Sequence, residues 1–140
     1  MRTAKPELIR VLHVDDEPDF ADLTAIYLER ERDNLAVETA LSGQEALTRV
    51  SEGNGRIDCI VSDYEMPGMN GLEVLERIRA INADVPFILF TGSNREGIES
   101  DALSAGASGY LSKHGGIHQY ARLANYIETL VETDQNERQQ

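Results

Sequence analysis

Leu8-Ile9-Arg10-Val11-Leu12-His13-Val14-Asp15-Asp16-Glu17-Pro18 is an apolar run that ends in three acids and a proline. Apolar side chains at nearly consecutive positions suit a parallel strand covered on both faces. Pro18 suits the first turn of a helix, where a missing N–H costs nothing. The chain is therefore expected to leave a buried strand through an acidic turn and enter a helix. Strand-like runs recur four times. Residues 35–40 alternate like an edge strand, 57–61 and 85–90 are apolar runs, and 108–111 is a fifth, weaker one. Pro86 is tolerable near a strand start.

Helical patterns fill the gaps. Phe20, Leu23 and Tyr27 give one stripe after Pro18. Ser42-Gly43-Gln44-Glu45 reads as a capping box ahead of Ala46, Leu47 and Val50. Leu72, Leu75, Ile78 and Ile81 are spaced along one helix face, and Ser93-Asn94-Arg95-Glu96 reads as a second capping box ahead of Ile98, Ala102 and Ala105. Ile117, Tyr120, Ala124, Ile127 and Val131 mark a last helix. Strand and helix alternate five times, which predicts an α/β fold with a parallel sheet, helices on both faces and right-handed crossovers. Residues 8–133 read as one domain, 1–7 as an extension and 134–140 as a polar tail that frays.

Composition narrows the function. The 140 residues hold 25 acids against 13 Lys plus Arg, a formal charge of -12. No basic patch is visible, which argues against direct binding to nucleic acid or to an anionic membrane surface. No apolar run approaches the roughly 20 residues that span a bilayer, and the expectation is a soluble, cytoplasmic domain. The acidity is read equally as the mark of a salt-rich cytoplasm or of an ordinary acidic protein. Cys59, the single cysteine, can form neither an internal disulfide nor a cysteine metal cluster, and lies inside a strand run as a small hydrophobe. Only Lys5 and Lys113 are lysines, which draws the eye to Lys113.

In a doubly wound sheet, chemistry gathers at the carboxyl ends of the strands. The first strand is followed by Asp15 and Asp16, the third by Asp63, the fourth by Thr91 and Gly92, and the fifth by Lys113. With strand order 2-1-3-4-5, Asp15, Asp16 and Asp63 are expected to converge on one pocket. Clustered carboxylates repel one another and call for a cation. Oxygen donors without nitrogen or sulfur favour magnesium. Carboxylates, a metal, the Lys113 ammonium and the Thr91 hydroxyl are the parts needed to move a phosphoryl group onto an aspartate. Singly, each residue has a plainer reading: an Asp after a strand starts turns, a Thr caps, a Lys is usually a solvated charge. The joint pattern at four strand ends favours function.

The segments Val14-Asp15-Asp16-Glu17, Ser62-Asp63-Tyr64-Glu65-Met66-Pro67-Gly68-Met69-Asn70-Gly71, Phe90-Thr91-Gly92 and Tyr110-Leu111-Ser112-Lys113 resemble response-regulator receiver domains of two-component signalling. The resemblance runs from about Leu8 to Val131. It implies a flavodoxin-like (βα)5 fold of strand order 2-1-3-4-5 and a phosphoacceptor switch, with no chemistry beyond its own phosphorylation and dephosphorylation. Carried over by position, Asp63 is the phosphoacceptor. Asp16 ligates Mg2+ directly, Asp15 acts mainly through a bound water, and the Glu65 backbone carbonyl is a further ligand. Thr91 moves to the phosphoryl group, Lys113 pairs with it, and Tyr110 is the switch aromatic. The implied partners are a sensor histidine kinase and an unknown downstream protein or output domain. A face made of the fourth helix, fifth strand and fifth helix carries the signal or a homodimer contact. Tyr120, Leu123, Tyr126 and Leu130 of the last helix read either as core or as such a surface. Two further classes stay open: a receiver that binds partners without phosphorylation, and a small phosphatase with an aspartyl nucleophile. Such phosphatases want two aspartates flanking one residue, whereas Asp15 and Asp16 are adjacent. One departure from the family stands out. His114 follows Lys113 where members usually carry a cis-proline, so either the bond is strained or it is trans and Gly115-Gly116 absorbs the change.

Overall fold

The computed structural model describes residues 8–53 and 56–138; the stretch 1–7, read above as an extension, lies outside the described residues. Five strands and five helices alternate: β1 (Ile9–Val14), α1 (Pro18–Glu31), β2 (Leu35–Ala40), α2 (Gly43–Glu52), β3 (Cys59–Ser62), α3 (Gly71–Ile81), β4 (Phe87–Thr91), α4 (Ile98–Ser104), β5 (Gly109–Ser112) and α5 (His118–Arg138). All strand pairs are parallel and the order is β2-β1-β3-β4-β5. This is the expected flavodoxin-like arrangement.

The period of two along each strand sorts side chains into two apolar layers. Leu12, Val14, Ile60, Phe87 and Leu89 pack with Leu47 of α2, Val74, Leu75 and Ile78 of α3, and Ile98 and Ala102 of α4. Ile9, Val11, Cys59, Val61, Ile88 and Phe90 pack with Leu28 of α1 and with Tyr120, Leu123, Ala124, Ile127 and Val131 of α5. Fully burying a side chain such as Phe87, Phe90 or Leu89 stabilises the fold by roughly 1.5–3 kcal/mol each. Tyr120 and Leu123 are buried, while Tyr126 and Leu130 are partly buried against the same layer, so all four serve the core.

Helix ends depart from expectation. Ser42 caps α2 through its hydroxyl, which accepts from the Glu45 N–H, but the reciprocal box forms at α3, between Asn70 and Glu73. Ser93 caps nothing helical. Its N–H donates to Thr91 Oγ1 and its hydroxyl accepts from the Arg95 N–H, and α4 starts only at Ile98, after Gly97 in the left-handed region. On α1 the buried residues are Ala21, Thr24 and Leu28, and Leu23 is exposed. Ile117 stays outside α5 and is 62% exposed. α5 itself runs to Arg138, past the expected fraying point at Asp134.

His13 sits in β1 between Thr39 and Val61, fully buried, and neither ring nitrogen has a hydrogen-bond partner among the described residues. Burial, with help from the Lys113 charge, pulls its pKa from 6.5 down to about 3. The folded state thus binds fewer protons than the unfolded one. This contribution to stability is whole above pH 6.5 and is lost as pH falls from there through about 3. Between pH 7 and pH 4 the loss is about 3 kcal/mol at 1.36 kcal/mol per unit. Urea unfolding of wild type and His13→Leu at both pH values checks it: the variant should lack that part of the acid destabilisation. A wild-type-minus-variant difference that stays constant with pH rejects the assignment.

Candidate functional site

Backbone pairing carries four sequence-predicted residues to one edge of the sheet. The Asp15 N–H donates to the Ala40 carbonyl, Asp63 N–H to Val14, and Lys113 N–H to Thr91. Asp15 and Asp63 thus follow neighbouring strands directly, while Thr91 is the last residue of β4 and Lys113 the first after β5. A cavity of about 290 Å³ opens there, lined by Asp15, Asp63, Thr91 and Lys113, with Phe20, Glu65 and Ser93 among its other walls.

Lys113 Nζ stands 3.4 Å from Asp63 Oδ2 and 3.8 Å from Asp15 Oδ2. The ammonium is flanked by rings: Nζ lies 4.5 Å from the Phe20 centroid and 5.3 Å from that of Phe90. Such contacts favour an ammonium whose other side faces carboxylates. The Lys113–His114 bond is trans. Left-handed Gly115 and Gly116 take up the change of direction, and Arg122 donates to the His114 carbonyl. Lys113 therefore reaches Asp63 without the usual cis-proline.

Asp63 Oδ1 accepts from the Tyr64 N–H at 2.7 Å, which leaves Oδ2 toward Lys113. Asp15 is 2% exposed. Burial pushes its carboxyl above the usual range; the Glu17 N–H and the Lys113 ammonium pull it back, and the charges of Asp63 and Asp16 add to the push. Thr91 is buried and its hydroxyl accepts from the Ser93 N–H, so its own proton is free to be donated. Tyr110 is half-buried and lines a second cavity of about 380 Å³ between α4 and β5, beside Arg95, Ser112 and His114.

Asp16 is half-buried and does not line the site cavity. Among the described residues no three acid, histidine or cysteine side chains stand together as a metal cluster. The expected convergence of Asp15, Asp16 and Asp63 is thus only partial. Asp16 stays near enough for its charge to act on Asp15, and the Lys113 ammonium is the cation between Asp15 and Asp63. The donor chemistry still fits a hard cation. Asp15 Oδ2 is buried without a hydrogen-bond partner and faces the Lys113 ammonium only at 3.8 Å, which leaves it room to take a cation as a ligand.

Sequence reasoning missed Phe20 and Ser93 as walls of the site. Phe20 reads as one more stripe residue, and only the fold shows that its ring faces Lys113. The geometry at this strand edge asks what family it serves. The model of the response regulator receiver domain matches residues 11–125.

The chain belongs to that family. A receiver domain protein from Clostridium thermocellum superposes with a TM-score of 0.81 at 26% identity, covering 91% of this chain and 98% of that one. The response regulator TrrA of Thermotoga maritima, solved in complex with Mg(2+)-BeF, superposes at 0.75 with 31% identity, covering 88% and 99%. A protein-glutamate methylesterase/protein-glutamine glutaminase from a Nocardioides species is 38% identical over 126 residues, 88% of this receiver and 34% of that protein. The receiver spans 34% to 44% of the length of the first curated relatives it matches. No helix among the described residues is long and apolar enough to cross a membrane.

Proposed function

We propose that this receiver accepts a phosphoryl group on Asp63 from the phosphohistidine of a sensor kinase and passes the change to the α4-β5-α5 face. One observation carries the reading: a fixed ammonium, Lys113, stands between the carboxylates of Asp63 and Asp15 on a cavity that also holds the Thr91 hydroxyl. The P–N bond of the donor breaks as the Asp63 oxygen–phosphorus bond forms, and the imidazole leaves. Lys113 offsets charge on the transferring oxygens, and Thr91 donates its hydroxyl proton to one of them.

Asp15, Asp16, Asp63 and the Glu65 carbonyl are the residues that would hold Mg2+, supported by the buried Asp15 oxygen that has no hydrogen-bond donor and by the Mg(2+)-BeF complex of TrrA. Bound there, the ion would neutralise phosphoryl charge. When Thr91 turns toward the phosphoryl group, Tyr110 moves inward from the α4-β5 cavity and repacks that face. The same face would serve a downstream protein, an output domain or a second copy of the receiver. Leu23 and Ile26, on the helix that also carries cavity-lining Phe20, and Ile117 after β5 are exposed apolar side chains that a protein phosphodonor would cover.

Incubating the chain with acetyl phosphate and Mg2+ tests the reading. One acid-stable, base-labile phosphoryl group per molecule supports the switch. No adduct leaves a receiver that binds partners without phosphorylation, and many turnovers per molecule make it a phosphatase. Exposed Glu65 lines the cavity two residues after Asp63, and on this reading it influences how water reaches the acyl phosphate. Glu65→Ala should change the adduct's lifetime, read by loss of the phosphoryl mass with time; an unchanged lifetime removes Glu65 from that role.

A further inference from the structure

The turn that carries Asp63 is tied to α4 by three side chains, those of Tyr64, Arg95 and Asp101. The Tyr64 N–H fixes Asp63 Oδ1, and the Tyr64 ring packs, partly buried, against the apolar layer shared by α2, α3 and α4. The Arg95 guanidinium lies over that ring, 5.2 Å from its centroid. Its Nη2 donates to Asp101 Oδ2 on α4 at 2.9 Å. The Asp101 hydrogen bond is the main influence that raises the guanidinium above its usual pKa; desolvation opposes it and Tyr64 adds to the rise. α4 is a helix on which such a clasp has leverage. It has seven residues, starts after Gly97 with no side-chain cap, and buries only Ile98 and Ala102. A short, uncapped element with few buried residues sits at the low end of local stability.

We propose that Arg95 is a positioning residue that couples the phosphoacceptor turn to α4, through its stack on Tyr64 and its ion pair with Asp101. The functional meaning rests on Asp63 being the phosphoacceptor, whereas the clasp itself is present in the unmodified chain. Any event that tilts the Asp63–Tyr64 peptide moves the ring under the guanidinium, and Asp101 carries that movement into α4. The flat guanidinium is what allows one group to stack and to pair at once, so lysine cannot replace it.

Amide hydrogen exchange on the full chain tests this, before and after acetyl phosphate with Mg2+, for wild type, Arg95→Ala, Arg95→Lys and Asp101→Asn. Arg95 and Asp101 are exposed, so these variants fold. Before phosphodonor is added, amides of residues 98–104 should exchange about two- to fivefold faster in all three variants, the scale of an exposed ion pair, while β1 and β3 stay protected. After it, Arg95→Ala should form the adduct yet show a smaller change in α4 exchange than wild type. Wild-type α4 exchange in unmodified Arg95→Ala, or a full-sized phosphorylation response in it, overturns the coupling. If wild type takes up no phosphoryl group, the reading of Asp63 fails, and the first comparison alone still decides the clasp.

Discussion

Asp63→Asn should take up no phosphoryl group under conditions where wild type gains one per molecule. An amide is not a nucleophile toward phosphorus, so the loss is of the reaction itself and exceeds the loss from removing a supporting group. Taking away one stabilising donor such as Lys113 costs on the order of 10²–10³ in rate, which a long incubation partly recovers. The substitution is otherwise mild. Asn keeps the shape and an oxygen for the Tyr64 N–H, which now meets Asp63 Oδ1 at 2.7 Å. Lys113 keeps Asp15 as its second carboxylate at 3.8 Å. The fold should survive with no large change in Tm, and Asp15, relieved of one neighbouring negative charge, should titrate lower than in wild type. Intact-protein mass spectrometry after acetyl phosphate and Mg2+ gives the answer. A folded Asp63→Asn that still gains a base-labile phosphoryl group places the acceptor elsewhere.

How much of this was legible beforehand follows from what each signal measures. β1, β3 and β4 lie in the middle of the sheet under helices on both faces, so their runs are apolar at consecutive positions and easily read. Their bounds shift by a residue or two. The run at 57–61 begins late, at Cys59, because the Asp58 carboxylate is engaged by the Arg10 N–H and the Arg56 side chain. β4 and β5 extend to Thr91 and Ser112, since the ladder continues through that pair. Helix starts were harder. A Ser-x-x-Glu pattern marks α2 and misleads at α4, where Ser93 is spent on Thr91 and Arg95. The Asn70–Glu73 box at α3 carries the same logic in a different residue. The site was legible as residue types at strand ends, because topology alone brings those ends together. What surrounds Lys113 was not, because Phe20 faces it from a helix 93 positions earlier, a contact fixed only by how α1 lies on the sheet. Arg95 over Tyr64 was hidden for the same reason.

Gly71→Ala should damage the site from inside the fold. Gly71 is the first residue of α3, and its N–H donates to the Tyr64 carbonyl at 2.8 Å. A methyl group there would run into the Asp63 carbonyl oxygen, and would meet Leu89 Cδ1 at 2.8 Å and Tyr64 Cα at 3.0 Å. Two of these atoms are backbone of the turn that carries Asp63, so they cannot swing aside as a flexible side chain would. Alanine gains roughly 0.5–1 kcal/mol of helix preference over glycine, but overpacking costs typically about 1–3 kcal/mol. The net is a loss of about 1–2 kcal/mol, visible as a lower urea midpoint. The larger effect is on chemistry. Relief of the clash pushes the Asp63–Tyr64 peptide off its place, and a misplacement near 1 Å can cost about 10²-fold in rate. Gly68→Ala is the matched control. Gly68 lies in the same loop, has φ of +81°, and its added methyl meets nothing within 4 Å. It should lose about 1–2 kcal/mol to left-handed strain while accepting phosphoryl groups at nearly the wild-type rate. The two variants therefore lose similar stability and differ in adduct formation. Equal rates in both would mean that the close approach of Gly71 to Asp63 does not set the geometry of the acceptor.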